Sequence, residues 1–159
     1  MSKTSEAIVE IRDIGALGDG IAEHNGVTLM VPFTCTKDRV RVQYRIKPQE
    51  KTACATLLEL LEPSPHRQLP PCKHFGTCGG CQLQHIGDTT YTSLKQQRLQ
   101  KILKQLKAET ATLLPIQSVG AQSRRRVEWE VRVHKKAVTL GYHQPRSHTL
   151  VAIEHCPVL

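Results

Sequence analysis

Three cysteines lie within ten residues of one another, in the segment PCKHFGTCGGCQLQH, and another lies close to the C-terminal end of the chain. The spacing is Cys72-x5-Cys78-x2-Cys81, with Cys156 far downstream. A C-x2-C pair lets two thiolates converge on one metal centre, and the Gly-Gly between them lets the backbone turn tightly and aim its N–H groups at sulfur. No other feature constrains the fold as much, because a four-thiolate site requires Cys156 to return to the first three cysteines.

Three interpretations of these cysteines are open. A four-thiolate iron–sulfur cluster is favoured, because Cys156 precedes a proline, as cysteines at iron–sulfur sites often do. A structural zinc ion is the second; zinc sites usually have two C-x2-C knuckles, so His74 or His85 would have to complete a Cys3His set here. Clustering without any metal is the third. Cys35 and Cys54 fall on predicted strands, and each is expected to be a small buried hydrophobe.

The charge of the chain indicates a polyanionic partner. Its 159 residues include 22 Lys and Arg against 14 Asp and Glu, a net charge of +8, which favours nucleic acid or an anionic membrane surface. No apolar run approaches the roughly 20 residues that span a bilayer, and the N-terminus lacks the apolar region of a secretory signal. We therefore expect a cytoplasmic protein that binds RNA and no membrane. No obligate protein partner is indicated.

The first part of the chain has the pattern of a small β domain. Residues 8–62 divide into four or five short strands with glycines at the bends, which predicts a small barrel, with a β-sandwich fragment as the alternative. In RVRVQYRIK, one face carries Val40, Val42, Tyr44 and Ile46, and the other carries four cations and a glutamine. We expect these cations to contact RNA, although a solvated face that protects a sheet edge would show the same pattern. They are Arg39, Arg41, Arg45 and Lys47.

Prolines divide the chain. PSPHRQLPPC has four of them in ten residues, which predicts a linker over 64–71. The predicted domains are a barrel at 1–63 and a second domain at 72–159.

The second domain is expected to hold one helix and several strands. The helix runs from about Thr89 to Leu106, with Asp88 as its cap. Its apolar residues fall on one half: Tyr91, Leu94, Leu99, Ile102, Leu103 and Leu106. Residues 124–155 return to strands with a turn at Lys135 and Lys136. Arg124, Arg125 and Arg126 precede these strands and form a second candidate RNA surface.

The cysteine segment resembles the iron–sulfur signature of the RumA/RlmD-type RNA (23S rRNA) uracil-5-methyltransferases. The matching residues are Cys72, Cys78, Gly79, Gly80, Cys81, Leu83, Gln84, His85 and Cys156. The upstream motifs DIGALGDGIAEHNGVTLMVPF, DRVRV and EPSPHR resemble a TRAM domain, a five-stranded OB-like barrel that binds RNA. The segment from RRRVEWEVRVH onward resembles the start of the central β-rich domain of that family.

The resemblance implies a mainly β protein with one helix, in which a TRAM barrel precedes a partial central domain stapled by an iron–sulfur cluster. It implies a [4Fe–4S] cluster on Cys72, Cys78, Cys81 and Cys156, and RNA, specifically rRNA, as the partner. Family members also have a domain that binds S-adenosylmethionine and supplies a nucleophilic cysteine.

This chain shows no glycine-rich turn typical of a cofactor domain, and no cysteine remains for the nucleophile. The resemblance therefore implies the N-terminal RNA-binding and iron–sulfur portion of a methyltransferase, with no catalytic residue and no activity of its own. The alternative is a stand-alone RNA-binding protein stapled by zinc.

Overall fold

A computed structural model of the protein describes residues 3–108, 110–135 and 137–159, without the side chain of Lys3. These residues form a mainly β protein with one helix, as predicted. The elements are β1 (Lys3–Glu10), β2 (Asp13–Ile14), β3 (Gly20–His24), β4 (Val27–Val31), β5 (Arg39–Ile46), β6 (Thr52–Glu62), α1 (Asp88–Gln105), β7 (Glu130–His134), β8 (Ala137–His143) and β9 (Leu150–Ala152). At the predicted turn before β8, Lys135 has a positive φ of 52°, and Lys136 lies outside the described residues.

The chain divides into two compact units that interleave in sequence. Unit 1 contains Met1–Gln68 and His85–Leu113, and unit 2 contains Leu69–Gln84 and Leu114–Leu159. The sequence pattern instead suggested contiguous domains, with the helix in the second. The segment with three of the cysteines therefore belongs to unit 2, although the chain on either side of it belongs to unit 1.

Unit 1 is built on one six-stranded sheet in the order β1-β5-β6-β4-β3-β2. The Ile11 N–H donates to the Asp38 carbonyl at 2.9 Å, and the Arg12 N–H donates to the Ile21 carbonyl at 2.8 Å. The first predicted strand therefore splits in two, because its pairing partner changes between these neighbouring residues, and the sheet has six strands where five were expected. In the described part of the chain β1 and β2 do not pair with each other, so the predicted closed barrel is not found.

Alternating strand residues fill the interior of unit 1. Val40 and Val42 are fully buried and Tyr44 is 7% exposed, which confirms the predicted inner face of β5. Cys35 is buried as expected, but Cys54 is exposed. The expectation for Cys54 was wrong because the buried positions on β6 are its neighbours in the alternation, Ala53 and Ala55.

Helix α1 has the predicted length but a different cap and a smaller buried face. Gly87 is the N-cap, with no side-chain hydrogen bond, and Asp88 is the first helical residue, where its charge suits the positive end of the helix dipole. Leu94 is buried, whereas Leu99 and Ile102 are 43% and 50% exposed. Most of the predicted apolar half of the helix is therefore not buried. No helix in the part of the chain that the structure describes is long and apolar enough to cross a membrane.

Unit 2 contains an antiparallel three-stranded sheet in the order β7-β8-β9. Gly141 of β8 faces Ala152 of β9, and the Val151 carbonyl occupies the space that a Cβ at this glycine would need. The close approach of β8 and β9 matters for the site, because His143 at the end of β8 and the segment after β9 both reach the cysteines.

Candidate metal centre

All four predicted cysteine ligands line a single cavity of unit 2. Its volume is about 60 Å³, and Cys72, Cys78, Cys81 and Cys156 are all in its wall. The apolar part of the wall consists of Phe75, Tyr142, Ile153, Val158 and Leu159. The fold thus brings together thiols that are far apart in sequence, inside a largely apolar enclosure.

Tight turns place the first three cysteines. The Cys72 carbonyl accepts a hydrogen bond from the Phe75 N–H at 3.1 Å, and the His74 carbonyl accepts one from the Cys78 N–H at 2.8 Å. Gly76 lies between these turns with φ of 86°, a left-handed conformation that glycine adopts without strain.

The Gly-Gly dipeptide makes two close contacts, one with the His143 carbonyl and one with the Cys78 sulfur. The Gly79 N–H donates to the His143 carbonyl at 2.8 Å, and a Cβ at Gly79 would stand 2.7 Å from that oxygen. The Gly80 N–H points at the Cys78 Sγ at 3.4 Å. The loop therefore needs a residue without a side chain at Gly79, and it aims an N–H group at sulfur as the sequence suggested.

Contacts after β9 hold the fourth cysteine near the loop. The Gln122 N–H donates to the Pro157 carbonyl at 2.9 Å, and the Arg124 N–H donates to the Val158 carbonyl at 3.2 Å. Lys73 Nζ lies 2.5 Å from a carboxylate oxygen of Glu154, and this hydrogen bond and the lysine charge lower the pKa of Glu154. These bonds fix Cys156 from both sides.

The four thiols influence one another electrostatically. Burial raises the pKa of the Cys81 thiol, a hydrogen bond from Gln84 lowers it, and negative charge on Cys156, Cys78 and Cys72 raises it again. Burial and the repulsion from neighbouring thiolates both disfavour the charged form of Cys81, so the cavity suits a positively charged group that would stabilise this thiolate.

The candidate zinc ligands are the four cysteines with His74 or His85. A zinc ion needs its thiolates about 2.3 Å from one point, and no three His, Cys, Asp or Glu side chains within residues 3–108, 110–135 and 137–159 converge in a way that could hold an ion. His74 also lines the cavity. His85, the other suggested zinc ligand, lies in unit 1, where its Nε2 bonds to the Thr34 carbonyl at 3.0 Å.

The basic residues of β5 are paired with acids or a hydroxyl. Arg39 lies 2.6 Å from Glu62 and Arg41 lies 2.9 Å from Glu59, both on β6. Arg45 donates to the Thr4 hydroxyl at 2.8 Å on β1. Lys47 lies 3.3 Å from Glu50. The strand pattern could not show these partners, because three of the four stand on neighbouring strands.

The second candidate RNA surface lies in the coil before β7. Arg124, Arg125 and Arg126 are all exposed, and Arg124 also lines the cysteine cavity. The sequence of unit 2 contains eight Lys and Arg against three Glu, so this triad lies in a positively charged part of the chain.

No family model matches this chain. A protein from Brucella melitensis named as an uncharacterised RNA methyltransferase is 38% identical over 157 residues, which cover 99% of this chain and 36% of that protein. The 23S rRNA (uracil(1939)-C(5))-methyltransferase RlmD of Photorhabdus laumondii is 31% identical over 150 residues, covering 92% of this chain and 34% of that protein. The RlmD protein of Pectobacterium atrosepticum is 32% identical over 154 residues, covering 95% and 34%. The chain spans about a third of the length of each of these relatives.

Proposed function

From its homology to RNA methyltransferases, among them 23S rRNA uracil-C5 methyltransferases, we propose that this chain is the RNA-binding and iron–sulfur portion of an enzyme of that class. The similarity confirms the resemblance noted in the sequence, and it extends over almost the whole chain. Binding of S-adenosylmethionine and methyl transfer belong, in this proposal, to the parts of such an enzyme that the chain does not match. Unit 1 would be its TRAM-type RNA-binding unit.

The observation that carries the proposal is the convergence of Cys72, Cys78, Cys81 and Cys156 on one cavity. A [4Fe–4S] cluster binds four thiolates through different irons, so its sulfur ligands stand farther apart than those around a single ion. The four thiols that share the cavity match the number of thiolates that such a cluster binds, whereas a Cys3His zinc site would use only three of them together with a histidine.

The residues of this chain would act on such a cluster in two ways. The four thiolates would hold it, and the Gly80 N–H, which already points at the Cys78 sulfur, would stabilise negative charge there. Phe75, Tyr142 and Ile153 would keep water away from it. The bound cluster would supply a cross-link between the cysteine loop and the segment at Cys156, which is a structural contribution.

RNA would bind through charge. The proposed contacts are Arg39, Arg41 and Arg45 on β5, Lys47 directly after it, and Arg124, Arg125 and Arg126 in unit 2. Exposed ion pairs contribute only about 0–1 kcal/mol, so phosphate could replace the glutamates that now pair with β5. Within the described residues no carboxylate forms an ion pair with the arginine triad, and the triad lies in the more positive unit, which makes it the stronger candidate.

The cluster is tested by loading the purified protein with ferric iron, a thiol reductant and sulfide without oxygen. We expect about four irons and four sulfides per chain and a brown colour, as the four thiolates predict. Cys81→Ser should abolish the colour, whereas Cys54→Ser is the matched control, because Cys54 is exposed on β6 outside the cavity. Bound zinc with no sulfide would contradict the proposal and favour the zinc-stapled alternative.

A further inference from the structure

The chain segments on either side of the cysteine loop, Leu69–Gln84, are hydrogen-bonded to each other. The Gln68 N–H donates to the His85 carbonyl at 2.9 Å, and the Gly87 N–H donates to the His66 carbonyl at 2.9 Å. Arg67 and Ile86 form an isolated antiparallel bridge between these bonds. We call residues 66–68 and 85–87 the neck. Its hydrogen bonds bring the two ends of the loop together.

Both sides of the neck are anchored to the same short segment of unit 1. On the entering side, Arg67 Nε lies 2.9 Å from both carboxylate oxygens of Asp38, and its Nη2 donates to the Phe33 carbonyl at 2.7 Å. On the returning side, His85 Nε2 bonds to the Thr34 carbonyl at 3.0 Å. We call residues 33–38 the anchor loop. Because both sides bond to it, unit 1 sets the separation of the two ends of the loop.

These anchors are buried. Asp38 is fully buried, and His85 and Ile86 are each 1% exposed. Asp38 accepts two further bonds, from the Cys35 N–H at 2.6 Å and the Ser64 N–H at 2.9 Å. A buried ion pair adds little net stability when a well-packed apolar pair could replace it. The bonds of this network fix the positions of Arg67, Asp38 and the backbone groups that they join.

The anchor loop also has an uncommon backbone. Phe33 and Lys37 have φ of 62° and 71°, a left-handed conformation that is unfavourable for residues with a Cβ. Such conformations persist where surrounding bonds hold them, and they concentrate at functional sites. The Phe33 carbonyl is one of the groups that Arg67 binds.

From these contacts we infer that the neck positions the thiols: Arg67, Asp38 and His85 couple the folding of unit 1 to the binding of the cluster on Cys72, Cys78 and Cys81. This inference rests on the proposed function. The coupling is reciprocal, because a group that binds more tightly when the neck is closed must itself stabilise the closed neck. The three are positioning residues, since none of them lines the cavity.

The first experiment compares the rates at which loaded variants lose iron to a chelator. His85→Leu removes the bond to the Thr34 carbonyl and should speed iron loss about tenfold, the range expected for a buried bond of this kind. His85→Gln keeps an N–H donor and should restore the rate. Val42→Ala, in the fully buried core of β5, is the control for lowered stability alone. Equal rates in His85→Leu and a Val42→Ala protein of matching thermal midpoint would overturn the inference.

The second experiment needs no variant. Amide hydrogen exchange at Gln68 and Gly87, whose N–H groups close the neck, should slow when the cluster is bound. The Arg12 and Thr28 amides, which bond to the Ile21 and Lys51 carbonyls within unit 1, should change less. A protein that binds iron and sulfide without slower exchange at the neck overturns the coupling alone. A parent protein that takes up neither overturns the proposed function as well.

Discussion

The buried carboxylate of Asp38 allows the most quantitative prediction. It is fully buried and receives bonds from two backbone N–H groups and from Arg67, whose side chain is 18% exposed. Asp38→Ala leaves these donors without that acceptor. An unsatisfied buried donor costs about 1–3 kcal/mol, and breaking a buried pair costs about 3–5 kcal/mol. Because these two costs overlap, we expect the free energy of unfolding to fall by roughly 4 kcal/mol. That is a large part of the about 5–15 kcal/mol by which a folded domain is typically stable.

The assay is urea unfolding followed by far-UV circular dichroism, which reports the strands of the protein. Arg67→Met should cost a similar amount, because it leaves the carboxylate buried without its cation. The double variant should cost about 2 kcal/mol less than the sum, because the two residues share one network. Arg39→Met, which breaks the exposed pair with Glu62, should cost at most about 1 kcal/mol. A loss below 1 kcal/mol in Asp38→Ala, or strict additivity in the double variant, would refute the account of the anchor.

Burial lowers the pKa of His85, and the nearby Arg67 charge also lowers it, against a raising contribution from the bond to Thr34. As the pH falls, His85 is therefore protonated in the unfolded chain before it is protonated in the folded protein. The stability that neutral His85 confers is complete above about pH 6.5 and is lost as the pH falls below that value. His85→Gln should flatten this pH dependence of the thermal midpoint. Gly79→Ala should lower the iron content after loading, because its Cβ would meet the His143 carbonyl at 2.7 Å, whereas Gly120→Ala has open space and should not. Filter binding at several salt concentrations should show that changing a pair of the triad to Gln reduces the salt slope by about 1.4, at roughly 0.7 per phosphate contact. The two residues changed are Arg125 and Arg126. Changing Arg41 and Arg45 to Gln should reduce the salt slope less, because these residues have partners on β1 and β6. A larger reduction for Arg41 and Arg45 would place the RNA surface on β5.

Local sequence patterns were sufficient for the strand interior and for the thiols. The alternation in β5 identifies Val40 and Val42 as buried because side chains of a strand point to opposite faces whatever its neighbours are. The cysteine spacing indicated that Cys72, Cys78 and Cys81 lie together, as they do in the wall of one cavity, because C-x2-C and its glycines favour a tight turn. The helix bounds also follow from periodicity, within one residue at each end.

Properties that depend on a distant partner could not be read in this way. Four cations on β5 looked unopposed because Glu59 and Glu62 lie on β6, and the register that brings them opposite is not visible in a single strand. The exposure of Ile102 and Leu99 could not be predicted for the same reason, because periodicity shows that a helix has an apolar face but not what packs against that face. His85 matched a family motif beside the cysteines, yet its side chain bonds to the anchor loop of unit 1.

The interleaved units imply an order of assembly. The neck closes a loop of about 16 residues, and loop closure costs about 2.5 kcal/mol for that length by the logarithmic rule. Bringing Cys156 to Cys72 closes a much longer segment, at about 1.5 kcal/mol more by the same rule. The neck relies only on bonds within unit 1, so it can close before any metal binds. A cluster of the proposed kind would then meet three thiols that the neck already confines, and the restraint that it adds would fall mainly on the segment of Cys156. Loading should therefore slow exchange most in the segment after β9, next at the neck, and least in the sheet of unit 1.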